Sequence, residues 1–172
     1  MTRINAGIPP QKLMDWHLIA EINEMPRLNE LYKRIKNFND IPKWFTLGKG
    51  HLKFFMDKGE YLKRRYNLLL KEEASRKLKL PDDVKSEIVK NRFCQNQYFL
   101  FNQEHMNDYT PQQRDKEIMV HRLVTRIIDS DHYPWYYGER ISKGKACSIL
   151  MEIAEPVKHD DNENQLDIFK PK

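Results

Sequence analysis

Trp16-His17-Leu18-Ile19-Ala20-Glu21-Ile22-Asn23-Glu24-Met25-Pro26-Arg27 is the stretch whose periodicity decides the fold class. His17, Glu21 and Glu24 are spaced four and three apart. At about 3.6 residues per turn they share one side of a helix. Leu13, Ala20, Leu28 and Leu31 fall on or beside that side, so polar groups are set into an otherwise apolar stripe. A carboxylate in such a place is partly desolvated, which favours its protonated form and suits it to proton transfer near neutral pH. The same spacing also fits a satisfied buried network, or a helix surface that contacts a loop.

Outward from this stretch, the pattern predicts one long helix over 11–38. It starts after Pro9-Pro10 and is kinked at Pro26, which lacks an N–H and crowds the carbonyl four residues back. Asn39-Asp40-Ile41-Pro42 marks a loop, and Leu47-Gly48-Lys49-Gly50 a turn. A second long helix is expected over 51–78, with Leu52, Phe55, Met56, Leu62, Tyr66 and Leu69 on its apolar stripe. Its other face would carry Lys53, Lys58, Arg64, Arg65 and Lys71. Pro81-Asp82-Asp83 opens a short helix to about Lys90, and Arg92 to Tyr109 fits no element. Thr110-Pro111-Gln112-Gln113 predicts a further helix with Thr110 as its cap, ending near Asp129. An aromatic patch, Tyr133 to Tyr137, follows; it suits either base stacking or core packing.

Glycine is scarce, and apolar residues recur at three- and four-residue spacing. The expected fold is therefore all-α. With 172 residues the chain is long enough to bury a real core. Residues 1–152 are expected to form one compact domain, and 153–172 a polar, disordered tail. Lys and Arg number 30 against 25 Asp and Glu, for a net charge of +5, which suits a polyanionic partner. Cys94 and Cys147 are too few for a disulfide framework or a four-ligand zinc site, and both are expected as reduced thiols. His51 with His17 and Glu21 is the one metal-ligating combination to consider, but a histidine at a turn-to-helix junction more often caps or packs. No metal and no cofactor is expected. Without a membrane-length apolar run or a signal-peptide core, the chain is expected to be a soluble, cytoplasmic monomer.

The N-terminus adds chemistry. Met1-Thr2-Arg3-Ile4-Asn5 has a small second residue, the usual condition for loss of the initiator methionine. The exposed α-amine has an ordinary pKa of about 8, so a useful fraction is neutral at pH 7. Such an amine can attack an anomeric carbon and form a Schiff base.

Taken in order, Met1 to Asn5, His17 to Glu21, Glu24 to Arg27, Phe45 to Arg65 and Tyr136 to Gly138 together resemble the endonuclease V family of pyrimidine-dimer DNA glycosylases. The resemblance implies a compact domain of orthogonally packed helices that kinks DNA and extrudes a base. It implies Thr2 as nucleophile and Glu24 as the carboxylate assisting glycosylic cleavage and β-elimination. Arg27, Arg3 and His17 would hold DNA, joined by Arg122 and Arg126, which are four apart on one helix side. The implied partner is double-stranded DNA carrying a lesion, by default a pyrimidine dimer. Where family members that act on thymine dimers carry arginine before the catalytic glutamate, this chain has Asn23, whose amide both donates and accepts and suits a base edge. The same chemistry on another damaged or modified base is therefore an alternative, and a non-catalytic DNA-binding repair module is a second. In the tail, Gln165-Leu166-Asp167-Ile168-Phe169 resembles the peptide by which bacterial repair proteins dock on the sliding clamp. Leu166, Ile168 and Phe169 would fill an apolar pocket, with Gln165 bonding at its edge.

Overall fold

Pro26 lies where the first helix breaks. The computed structural model describes residues 4–76, 78 and 101–154. In it a short 3-10 turn, Pro10–Lys12, leads into α1, Asp15–Glu24, and then α2, Arg27–Arg34. The predicted single helix over 11–38 is thus two helices with a break at Met25-Pro26, flanked by 3-10 turns. The lost N–H of proline explains the position of the break. Leu18, Ile22, Met25 and Leu28 are fully buried across it, so the break turns the chain while keeping one apolar face inward.

The second long helix is also divided. α3 is His51–Phe54 and α4 is Gly59–Arg76. The interruption admits another segment. Lys58 pairs with Met106 in an isolated antiparallel bridge, and the Asn107 N–H and side-chain amide both donate to Asp57 O, at 3.3 and 2.9 Å. A Cβ on Gly59 would lie 2.3 Å from Met106 Sδ and 3.3 Å from His105 O, so a side chain here would displace the Met106 thioether, and glycine leaves room for it. The same segment is anchored to α2: Tyr32 stacks on Phe101 at 4.0 Å, and its hydroxyl meets His105 Nδ1 at 2.6 Å. The expected apolar stripe holds from Phe55 to Leu69, all buried, but Lys58 and Arg65 leave the basic face assigned to them. The Lys58 ammonium sits 4.1 Å over the Phe54 ring, and Arg65 is buried beneath α1.

α5, Gln113–Asp129, starts later than Thr110 would place it. The cap is Gln112, in a reciprocal capping box with Asp115. Asp115 is buried, accepts from Gln112 N at 2.9 Å and from the Tyr109 hydroxyl at 2.5 Å, and so fixes the start more firmly than an exposed threonine. α6, Lys143–Ala154, packs along α5 and was not foreseen. Between them the aromatic patch forms a hairpin, β1 Trp135–Tyr136 and β2 Glu139–Arg140. Its turn residues Tyr137 and Gly138 have φ of 52° and 75°, the backbone that two-residue hairpin turns require. Asp15 holds this turn by accepting from Tyr137 N (3.1 Å) and Gly138 N (2.8 Å). Asp15 also pairs with the buried Arg76, which donates to Leu13 O, Pro10 O and Glu72 as well. Tyr136 is half-buried and the Arg76 guanidinium lies 4.3 Å from the Tyr137 ring, while Tyr133, Trp135 and Tyr137 all stay about half exposed.

Among the described residues the protein is all-α apart from this one hairpin, as expected. A single core joins α1 to α6 with residues 4–8. No helix among the described residues is long and apolar enough to cross a membrane. Thr2, Arg3, Cys94, the helix expected near 81–90 and the clamp-like peptide at 165–169 lie outside the described residues.

Candidate active site

The stripe of polar groups on α1 separates into two kinds. Glu21 is fully buried and saturated. Arg65 donates to both of its oxygens, Nε to Oε1 and Nη2 to Oε2, each at 2.9 Å. Asn5 donates its backbone N–H to Oε1 (3.1 Å) and its side-chain amide to Oε2 (2.8 Å). Arg65 also donates to Ile8 O at 2.6 Å. Glu21 is thus the satisfied buried network that the spacing allowed, and it clamps the N-terminal segment onto α1.

Glu24, one turn further along, is different. Its Oε1 accepts from Arg27 Nη1 at 3.1 Å, while Oε2 is buried without a hydrogen-bond partner among the described residues. The side chain is 14% exposed and that of Arg27 68%. This carboxylate is therefore held at one oxygen, while the other is buried and makes no hydrogen bond with the described residues. Met25 and Pro26 keep helical backbone angles across the break, so Arg27, at the start of α2, stays an i,i+3 neighbour of Glu24. An exposed pair of this kind contributes little to stability, at most about 1 kcal/mol. The neighbouring Asn23 likewise has a buried Oδ1 without a partner among the described residues.

A cleft of about 740 Å³ opens between α1 and α5. His17 lines it on the α1 side, Arg122 and Arg126 on the α5 side, and the Leu47-Gly48 turn and His51 at its base. The structure thus brings together three of the residues expected to contact DNA. Trp16, stacked on His17 at 4.9 Å and 43% exposed, supplies an aromatic wall, and His121 adds a further titratable group. Glu24 lies seven residues beyond His17, about 10 Å along the helix axis. Glu24, at the end of α1, and Arg27, at the start of α2, are not among the cleft-lining residues.

The N-terminal segment runs to this site. Ile4 is fully buried and its N–H donates to His51 Nε2 at 3.1 Å. Two residues of chain reach about 7 Å, which bounds how far the Thr2 amine can stray from the Ile4 nitrogen. Both ring nitrogens of His51 are engaged by backbone, Nε2 with Ile4 and Nδ1 with Thr46 O at 3.0 Å, so it is a packing and anchoring residue and not a metal ligand.

Sequence reasoning missed Asn5 and Arg65 as parts of this assembly, whereas His51 packs as its turn-to-helix position suggested. The signal for Arg65 was present: positions 62, 65, 66 and 69 share a helix side, which puts an arginine in the apolar stripe. A family model described as pyrimidine dimer DNA glycosylase matches residues 1–86. That span holds α1 to α4, with Glu24, Arg27 and His51, whereas the α5 wall of the cleft lies beyond it.

Proposed function

The chain belongs to the pyrimidine dimer DNA glycosylase family, and from that premise we propose a bifunctional enzyme in which the Thr2 α-amine is the nucleophile and Glu24 moves the protons. DNA-repair glycosylase activity follows from the family; the associated strand cleavage and the imine are the finer reading. The amine attacks C1′ of the damaged nucleotide and the glycosidic bond breaks; the base leaves with its electron pair and takes a proton from water, while the ammonium formed at C1′ gives a proton to Glu24. Opening of the C1′–O4′ bond gives the imine, with O4′ taking a proton from Glu24. Loss of a C2′ proton to the carboxylate then expels the 3′ phosphate by β-elimination, and water releases the amine. Arg27, Arg3, His17, Arg122 and Arg126 hold the phosphates and position the lesion without reading sequence.

The observation that carries this reading is the Glu24 carboxylate. It is anchored to Arg27 through one oxygen and unpaired at the other, on the helix to which Asn5 ties the N-terminal segment. A carboxylate present only for packing would have both oxygens paired, as Glu21 has.

Asn23 supports a second reading, in which the same chemistry acts on a different base. Its unpartnered Oδ1 suits a donor on a base edge, which an arginine at this position would not. A panel of duplexes carrying a pyrimidine dimer, an abasic site, or a single oxidised or alkylated base decides between them. Dimer and abasic strands should both be cut. Cutting of abasic and single-base lesions with dimers left intact selects the second reading, and no cutting of any substrate by protein lacking Met1 contradicts both.

A further inference from the structure

His51 occupies a junction that the proposed chemistry does not yet use. It follows Gly50 at the start of α3 and is 3% exposed. The rings of Phe45 and Phe55 meet it edge-on, each at 5.4 Å, and fix its plane. A carbonyl oxygen only accepts, so the contact with Thr46 O requires the proton on Nδ1. Nε2 is then the acceptor, and the Ile4 N–H is the donor that meets it. An imidazolium would put a second N–H against the Ile4 N–H, two donors face to face. The contact therefore exists only with neutral histidine.

We propose that His51 is a positioning residue for imine formation: as a neutral acceptor it holds Ile4, and so sets where the Thr2 amine, two residues upstream, can reach. This rests on Thr2 as the nucleophile. Asn5 alone would leave the amine on a three-residue tether; the His51 contact shortens it to two and fixes its direction. Reactions at near-attack distance are steep in such placement, and an error of about 1 Å can cost roughly a hundredfold.

The surroundings keep His51 neutral at working pH. Burial pushes its pKa below the ordinary histidine value, and Arg122 from α5 acts in the same direction. The bond to Thr46 O acts against them, and so to a smaller extent does Glu21 from α1, whose charge is shared with Arg65; burial prevails. His17 from α1 and His121, Arg126 and Asp129 from α5 line the same cleft. Because the folded pKa is lowered, the contact is intact above about pH 6.5 and is lost as pH falls toward the lowered value.

The test is single-turnover trapping of an abasic duplex with cyanoborohydride, at saturating protein, from pH 5 to 8. Three forms are compared: wild type, His51→Gln, whose amide oxygen can accept from Ile4 without titrating, and His51→Phe. In wild type the log rate should fall with slope one below the amine pKa of about 8, then approach slope two once His51 protonates. His51→Gln should keep slope one and stay within a few-fold of wild type at pH 7.5. His51→Phe should trap about 10- to 100-fold more slowly with unchanged DNA affinity. A His51→Gln profile that still steepens like wild type overturns the proposal. So does wild-type trapping by folded His51→Phe. Ile4 amide exchange, followed by NMR, needs no reaction: equal protection in wild type and His51→Phe overturns the anchoring itself. Absence of any N-terminal adduct in wild type instead overturns the reading of Thr2, and the amide measurement keeps the two failures apart.

Discussion

Glu24→Gln is expected to reduce base release and strand cleavage by about 10²- to 10⁴-fold, the usual contribution of a positioned general acid–base group. The substitution preserves shape. The amide oxygen can still accept from Arg27 at the Oε1 position, so the helix pair is undisturbed. What changes is the unpaired oxygen, where the carboxylate proposed to take and return protons becomes an amide that cannot. DNA affinity should stay within a few-fold, because the cations proposed to hold phosphate, Arg27, Arg122 and Arg126, are untouched. Single-turnover cleavage of lesion-bearing duplex, measured beside equilibrium binding, separates the two effects. A variant that cleaves as fast as wild type would contradict the role assigned to Glu24.

Glu21→Met, by contrast, should act on the fold first. Glu21 and Arg65 are both buried, and removing one partner leaves an uncompensated charge in the interior. Breaking such a pair typically costs about 3–5 kcal/mol. Against a domain stability of roughly 5–15 kcal/mol this is a large loss. At about 2 kcal/mol per molar urea the unfolding midpoint should fall by roughly 1.5–2.5 M. The double variant Glu21→Met/Arg65→Met removes both charges and should be more stable than either single one. Activity should fall in Glu21→Met even below the unfolding range, since Asn5 loses both bonds that tie the N-terminal segment to α1. Equal urea midpoints for all four proteins would contradict the assigned role of the pair.

The sequence showed the helical class and the break at Pro26 because both rest on local rules: a 3.6-residue apolar period and a missing N–H. It also grouped His17, Glu21 and Glu24, but not their division of labour. Which carboxylate is saturated depends on Asn5 and Arg65, 16 and 44 residues away from Glu21, and no local rule carries that. The break between α3 and α4 was hidden for the same reason, since it exists to admit residues 101–107, which periodicity could not assign. The start of α5 was misplaced because Thr110-Pro111 satisfies the local rule, whereas the buried Asp115 and its bond to Tyr109 decide the outcome. His51 looked like a packing residue from the sequence. Its second role is visible only through Ile4, 47 positions earlier. The basic cleft was legible in part: Arg122 and Arg126 share a helix side, but the α1 wall opposite them is a product of the fold.

The central claim is that the amine exposed by loss of Met1 forms the covalent link to DNA. Its most direct test is borohydride reduction during reaction with an abasic or lesion-bearing duplex, followed by protease digestion and mass spectrometry of the cross-linked peptide. The account predicts an adduct on the peptide that begins at Thr2, abolished when Met1 is retained or the amine is acetylated. An adduct on a lysine side chain, or full trapping by protein with a blocked N-terminus, would contradict it.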